Sequence, residues 1–165
     1  MRSAFKIGAA GAIGFAFLAS WFLWNEKTSV SGHTETALGL SFLVPEGRTL
    51  AFGGAEIVML NPRTYRTTDY IALYLNGLPG APDYSAHEVI ASGDDPATFK
   101  VRRGGGGSGG PDFVLTTSKV VDGKTIDLLA VLQVELLGWR DHPDFAEAWA
   151  VWESLEPAAK DPELR

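Results

Sequence analysis

The chain contains no cysteine among its 165 residues. This absence excludes a disulfide framework, a thiolate metal site, a cysteine nucleophile and a cysteine for lipid attachment. It says nothing about the redox compartment, because a domain without disulfides folds in any of them.

Basic residues are also scarce. Lysine and arginine number 14 against 20 aspartates and glutamates, and two of the basic residues, Arg2 and Lys6, precede the first apolar run. The remainder of the chain therefore carries 12 basic against 20 acidic side chains. This balance argues against nucleic acid or anionic lipid as a partner. We predict a protein partner, and a basic one suits the charge best.

One long uncharged run is present, at residues 7–24. It gives about 27 Å of helix, enough to cross a hydrocarbon core. Arg2 and Lys6 ahead of it favour a cytoplasmic N-terminus, and Trp21 and Trp24 suit an outer-interface aromatic belt. The run predicts a single-pass anchor in the inner membrane, in contact with lipid through residues 7–24, with the following domain in the periplasm.

A cleaved signal peptide, with a soluble periplasmic product, is the alternative interpretation of this run. Cleavage needs small residues at positions −3 and −1. A cut after Ala19 has Phe17 at −3, and a cut after Ser20 has Leu18 there. Both sites are poor, so the sequence favours the uncleaved anchor.

The rest of the chain divides by composition. Residues 25–36 are polar and predict a stem, residues 37–157 predict one folded ectodomain, and residues 158–165 predict a disordered tail. Residues 1–24 form the anchor or signal segment. One domain of this length is long enough to bury a core.

The clearest local signal is Asp122-Gly123 between two apolar segments. It predicts a hairpin with a type I′ turn, which needs φ > 0 at both central residues. A two-residue loop places Val121 opposite Lys124. Because side chains alternate with period 2, one face becomes apolar and the other mostly wet. The apolar face collects Phe113, Leu115, Ile126, Leu128, Ala130, Leu132 and Val134.

Shorter apolar runs bounded by glycine and proline predict further strands. They lie at residues 38–44, 49–52, 57–60, 70–75 and 99–103. Residues 70–75 are apolar on both faces, which predicts a central strand. Residues 85–91 fit either a short helix or a strand.

An amphipathic helix is predicted near the C-terminus, starting at Pro143 and ending before Pro157. Its apolar stripe consists of Phe145, Ala148, Trp149, Trp152 and Leu155. Together these elements predict an α+β fold, in which an antiparallel β-sheet packs against this helix and an N-terminal transmembrane helix precedes both.

The sequence offers no convincing active site. Residues 106–110 match the G-x-S-x-G pattern around Ser108, with Asp127 and His142 following in hydrolase order. A nucleophile elbow needs a helix after the turn, whereas here Pro111 leads into a strand. The histidines are isolated, with no partner at i+4 that would form a metal set. We predict no enzyme activity, no metal and no cofactor.

Several motifs follow one another along the C-terminal third of the chain. They are Gly-Ser-Gly-Gly at 107–110, Phe113-Val114-Leu115, the hairpin, Gln133-Val134-Glu135, and Pro-Asp-Phe-Ala-Glu-Ala-Trp-Ala at 143–150. This order resembles small envelope immunity proteins that protect bacteria from peptidoglycan-cleaving effectors of type VI secretion. The resemblance covers about residues 99–155. It implies a non-enzymatic inhibitor that occupies the substrate cleft of a cognate toxin in the periplasm.

We therefore predict a non-enzymatic binding protein of the bacterial envelope, an immunity protein that blocks a periplasm-acting toxin. A membrane-tethered accessory subunit of an envelope complex is the alternative. Glycines let a loop enter a cleft, and tryptophan and arginine often carry interface energy. A plain surface loop is the competing interpretation of the glycine tract. The predicted partner-binding residues are Arg102, Arg103, Gly106, Gly107, Ser108, Gly109, Asp112, Trp139, Arg140 and His142.

Overall fold

The computed structural model describes residues 29–61, 69–77, 84–104, 112–133 and 144–159. Within them the chain forms ten strands and one helix. The strands are β1 (Gly32–Ala37), β2 (Leu40–Pro45), β3 (Thr49–Gly53), β4 (Glu56–Leu60), β5 (Tyr70–Leu75), β6 (Glu88–Gly93), β7 (Phe99–Arg103), β8 (Asp112–Val121), β9 (Lys124–Gln133) and β10 (Glu156–Pro157), and the helix is α1 (Ala146–Ser154).

The strands form two antiparallel sheets. The smaller has the order β1-β2-β10, and the larger has the order β3-β4-β5-β9-β8-β7-β6. Strand β5 pairs with β4 on one side and β9 on the other, which confirms its predicted central position. Strands β3 and β6 are the edges of the seven-stranded sheet.

The predicted β8–β9 hairpin is confirmed in its turn and register. Asp122 and Gly123 have φ of 49° and 74°, as a type I′ turn requires. Val121 pairs with Lys124, and the alignment continues without a shift to Asp112 opposite Gln133. Ten-residue strands on both sides make this hairpin the longest regular element that the structure describes.

The main core lies between one face of the larger sheet and a layer formed by the smaller sheet and α1. From the large sheet it takes side chains of the predicted apolar face, among them Leu115, Ile126 and Leu128. Leu40, Phe42 and Val44 of β2 enter from the other side, each at most 1% exposed. The predicted helix stripe also enters it, together with Val151.

The opposite face of the large sheet is less wet than predicted. Val114, Leu129 and Val131 point to this face and are at most 2% exposed. They form a second, smaller core with Ala72 and Tyr74 of the neighbouring strand β5. The predicted alternation of side chains along the hairpin is confirmed. The prediction that one face is mostly exposed to solvent is wrong, because these aliphatic side chains lie on central strands that are buried on both faces.

Helix α1 is tied to the sheet by its C-terminal end. The Lys119 ammonium of β8 donates to the carbonyl oxygens of Trp152, Glu153 and Leu155 at 3.1, 3.3 and 2.9 Å. It also lies 5.0 Å from the Trp152 ring centroid. A strand lysine therefore satisfies carbonyl groups that a helix end leaves unpaired, and it complements the negative end of the helix dipole.

The predicted α+β class is wrong. The described part is mostly β, with a single nine-residue helix that shares one layer with a three-stranded sheet. Pattern reading missed β1, whose polar residues fall in the predicted stem, because β1 pairs through its backbone while its side chains stay largely exposed. Among the described residues no helix is long and apolar enough to cross a membrane. Residues 7–24, where the anchor was predicted, lie outside them.

Candidate recognition site at one end of the sheet

Three connections of the large sheet share one end, which we call the loop end. Leu60 lies opposite Tyr70, and Asp112 lies opposite Gln133. Because Tyr70 in turn pairs with Val131, these strand ends lie at the same end of the sheet. The connections that leave there are residues 62–68, 105–111 and 134–143. The Asp122-Gly123 turn lies at the opposite end.

Three of the predicted partner-binding residues lie at the loop end. Arg103 is exposed, with its guanidinium carbon 5.9 Å from the Phe113 ring centroid. Arg102 is half-buried and donates from Nη1 to Thr116 Oγ1 at 3.3 Å. Asp112 is half-buried. Neither arginine forms an ion pair with a described residue. The other predicted residues, Gly106, Gly107, Ser108, Gly109, Trp139, Arg140 and His142, lie outside the described residues.

The root of the glycine tract is held in place by its neighbours. Gly104 donates its N–H to the Asp112 carbonyl at 2.8 Å, which closes the β7–β8 pair. The His87 imidazole packs directly on the Gly104 Cα, where a β-carbon would collide with the ring. His87 also meets Tyr84 edge-on at 5.1 Å between centroids. Sequence reasoning assigned His87 no such role, because a contact between residues 17 positions apart leaves no periodic signal.

Asp112 adds an unsatisfied group at this root. Its Oδ1 atom is buried and accepts no hydrogen bond from any residue that the structure describes. A buried carboxylate oxygen without a donor is costly, so native structures rarely keep one without a functional reason. This oxygen is therefore a candidate acceptor for a donor from outside the domain.

A second polar cluster at the loop end centres on Arg48, whose side chain is only 6% exposed. Its Nε donates to Glu147 Oε2 at 2.6 Å, its Nη2 to Asp69 Oδ1 at 3.0 Å and its Nη1 to the Met59 carbonyl at 3.3 Å. Asn61 Nδ2 donates to the second oxygen of Asp69 at 2.9 Å. The cluster joins the turn after β2, the start of β5 and the first turn of α1. No sequence motif marks it, because Arg48 is 21 and 99 residues from its acidic partners.

A pocket of about 190 Å³ opens beside this cluster. Apolar side chains form part of its wall: Ile71, Ala130, Leu132, Phe145, Ala146 and Ala148. Polar side chains form the rest: Arg48, Asn61, Asp69, Asp144 and Glu147. Asp144 Oδ1 accepts the Ala146 N–H at 2.9 Å, so this carboxylate satisfies one of the backbone donors that the start of α1 leaves unpaired.

The perturbed titratable groups lie on the second face of the sheet and away from this pocket. Burial raises the pKa of Tyr74 to about 12, with Glu56 adding to the rise. Burial and the hydrogen bond to Tyr84 raise the pKa of Tyr70 as well, and burial raises the pKa of Asp127. The tyrosines are thus neutral hydroxyl groups at physiological pH. No described group of three histidine or acidic side chains is arranged to hold a metal ion.

The described residues define a β-sheet protein with a polar cluster and a pocket at one end of its larger sheet. Residues 41–156 match the family model of the type six secretion immunity 3 domain. This match spans more than half of the chain, so the protein belongs to that family and is a type VI secretion immunity protein. Its partner is a cognate effector protein, and its family role is that of a non-enzymatic inhibitor. Comparison with curated proteins finds no match.

Family membership confirms the predicted resemblance to immunity proteins of type VI secretion. The match begins at residue 41 and so includes most of β2 and all of β3 to β6, which the motifs of residues 99–155 did not cover. Of the two predicted functions, it favours the immunity protein over the accessory subunit.

Proposed function

We propose that this immunity protein blocks an effector that cleaves peptidoglycan in the periplasm, and that the loop end of the large sheet enters the effector's substrate cleft. One observation carries the proposal. The pairing of Asp112 with Gln133 places the roots of both predicted binding segments side by side, the glycine tract after Arg103 and the stretch that holds Trp139 to His142.

The chemistry of the glycine tract supports this choice of end. Glycine has no side chain, so a tract of it lets a backbone approach the walls of a cleft shaped for an extended polymer. Fixing each residue of the tract costs on the order of 1 kcal/mol, which the effector must offset. Arg103, exposed beside the tract, is of the residue type that most often carries interface energy.

The periplasmic location rests on the uncharged run at residues 7–24 behind Arg2 and Lys6, a pattern typical of exported proteins. The acidic composition further supports a basic effector, because opposite charges speed association. That contribution falls as salt screens the charges.

Reversing one exposed charge tests the proposed surface. We expect Arg103→Glu to weaken binding of the purified cognate effector at least tenfold. The matched control is Lys124→Glu, an exposed cation at the opposite end of the same sheet, which should change the dissociation constant less than twofold. Equal effects of the two changes would contradict the proposed surface.

The proposed target is tested on purified sacculi. The effector alone should release soluble peptidoglycan fragments, and an equimolar amount of the immunity protein should stop the release. The effector should also be toxic to cells only when it carries an export signal. Intact sacculi, or toxicity that requires the cytoplasm, would disprove the periplasmic target while leaving the immunity role in place.

A further inference from the structure

The pocket beside Arg48 lies at the loop end. Five separate parts of the chain build it: the β2–β3 turn, the end of β4, the start of β5, the end of β9 and the start of α1. We propose that this pocket receives one lysine or arginine side chain of the effector. The proposal rests on the proposed function, because it takes the loop end as the contact surface.

Charge around the pocket favours a cation. Among the residues that the structure describes, its lining carries three carboxylates, those of Asp69, Asp144 and Glu147, and one guanidinium, that of Arg48. Arg48 already forms ion pairs with Asp69 and Glu147, at 3.0 and 2.6 Å. The rim therefore keeps an excess of negative charge, which would repel an acidic side chain and attract a basic one.

Two carboxylate oxygens of the rim are open to a new donor. Asp144 uses Oδ1 to accept from Ala146, and Glu147 uses Oε2 to accept from Arg48. Asp144 Oδ2 and Glu147 Oε1 accept nothing from the residues that the structure describes. A carboxylate accepts more than one donor, and hydrogen bonds between charged groups are about twice as strong as neutral ones.

The apolar part of the pocket suits the stem of the same side chain. Lysine and arginine bury their methylene groups along apolar surface and keep the charged end in a polar environment. Ile71, Leu132 and Phe145 supply such a surface next to the carboxylates. A volume of about 190 Å³ corresponds to roughly six water molecules, enough room for one long side chain.

Two variants test the pocket by different means. Glu147→Gln removes a rim charge and keeps an oxygen that accepts from Arg48. Ala146→Leu fills the pocket and leaves every carboxylate in place. Each has a matched control on the same helix outside the pocket lining, namely Glu153→Gln and Ala150→Leu. The measurement is the dissociation constant for the purified cognate effector, with thermal unfolding of each variant as a check on folding.

We expect both pocket variants to weaken binding about tenfold and both controls to change it less than twofold. If neither pocket variant weakens binding while the wild-type protein still inhibits the effector, the pocket proposal is wrong and the proposed function stands. If Ala146→Leu weakens binding and Glu147→Gln does not, the side chain that enters carries no positive charge, which also overturns the proposal. Failure of the wild-type protein to bind would instead disprove the proposed function.

Discussion

Gly104 is a single residue whose lack of a side chain permits close packing just after β7, where the glycine tract begins. The His87 ring occupies the space that any side chain at position 104 would need. We expect Gly104→Ala to destabilise the domain by about 2 kcal/mol, in the range of overpacking changes in a packed site. Urea unfolding measures the loss.

The same contact gives this prediction its control. Because the three atoms nearest to an added β-carbon all belong to the imidazole, adding His87→Ala to Gly104→Ala should recover most of the lost stability, so that the two changes are strongly non-additive. Additive losses would show that Gly104 is needed for its backbone conformation and not for the space beneath His87.

Asp127 carries the clearest pH dependence among the described carboxylates. Burial raises its pKa, so its charged form costs more in the folded chain than in the unfolded one. The penalty is absent where the carboxyl is protonated in both states, appears as pH rises through its unfolded pKa, and is complete above the raised folded value. Asp127 therefore destabilises the fold at neutral pH.

We accordingly expect Asp127→Asn to raise the unfolding temperature by about 1–3 °C at pH 7. The gain should shrink toward zero below about pH 4, where the aspartate of the wild-type chain is protonated in both states. Thermal unfolding followed across this pH range measures it. A variant less stable than wild type at pH 7 would show that the Asp127 charge is favourably paired.

At the scale of elements, α1 depends on a residue of another element. Lys119 of β8 donates to three carbonyl groups at the C-terminal end of the helix. We expect Lys119→Met, which keeps the stem and removes the ammonium, to cost about 1–3 kcal/mol. The exposed Lys124→Met on the same hairpin should cost less than about 0.5 kcal/mol. Equal losses in urea unfolding would mean that the contact with the helix contributes nothing.

The elements that sequence predicted well are those whose signal is local. The β8–β9 register follows from two turn residues and strict alternation, and β5 and β7 occupy the predicted residues 70–75 and 99–103. Strand β2 begins two residues later than predicted, because Leu38 has φ of 53° and belongs to a turn. In each correct case, the residue pattern within a few positions was enough to predict where the strand lies.

What the sequence missed or left open depends on distant partners. Strand β1 fell in the predicted stem, and the start of β6 fell in the segment that fitted either a helix or a strand. Both strands carry mostly exposed side chains and show no apolar alternation, yet each pairs with a neighbour through its backbone. The Arg48 cluster and the pocket it borders combine residues up to 99 positions apart. Of the candidate site, the sequence predicted Arg102, Arg103 and Asp112, and it gave no signal for the pocket.

At the scale of the whole molecule, the two ends of the large sheet differ in kind. The loop end holds the exposed Arg103, the acidic pocket and the buried Asp112 Oδ1, which accepts no hydrogen bond from the described residues. The opposite end includes the tight Asp122-Gly123 turn and the short β3–β4 turn, in which Gly54 has φ of 61°. These short turns offer little surface for recognition, which supports the proposal that the effector binds at the loop end.

Hydrogen exchange of the backbone amides, compared between the free protein and its complex with the effector, tests this assignment most directly. If the effector binds at the loop end, exchange should be slower in the complex at residues 102–104, 112–113 and 144–148. Exchange should not change at the opposite end, residues 53–56 and 122–125. Protection confined to the opposite end, or spread equally over both ends, would contradict it.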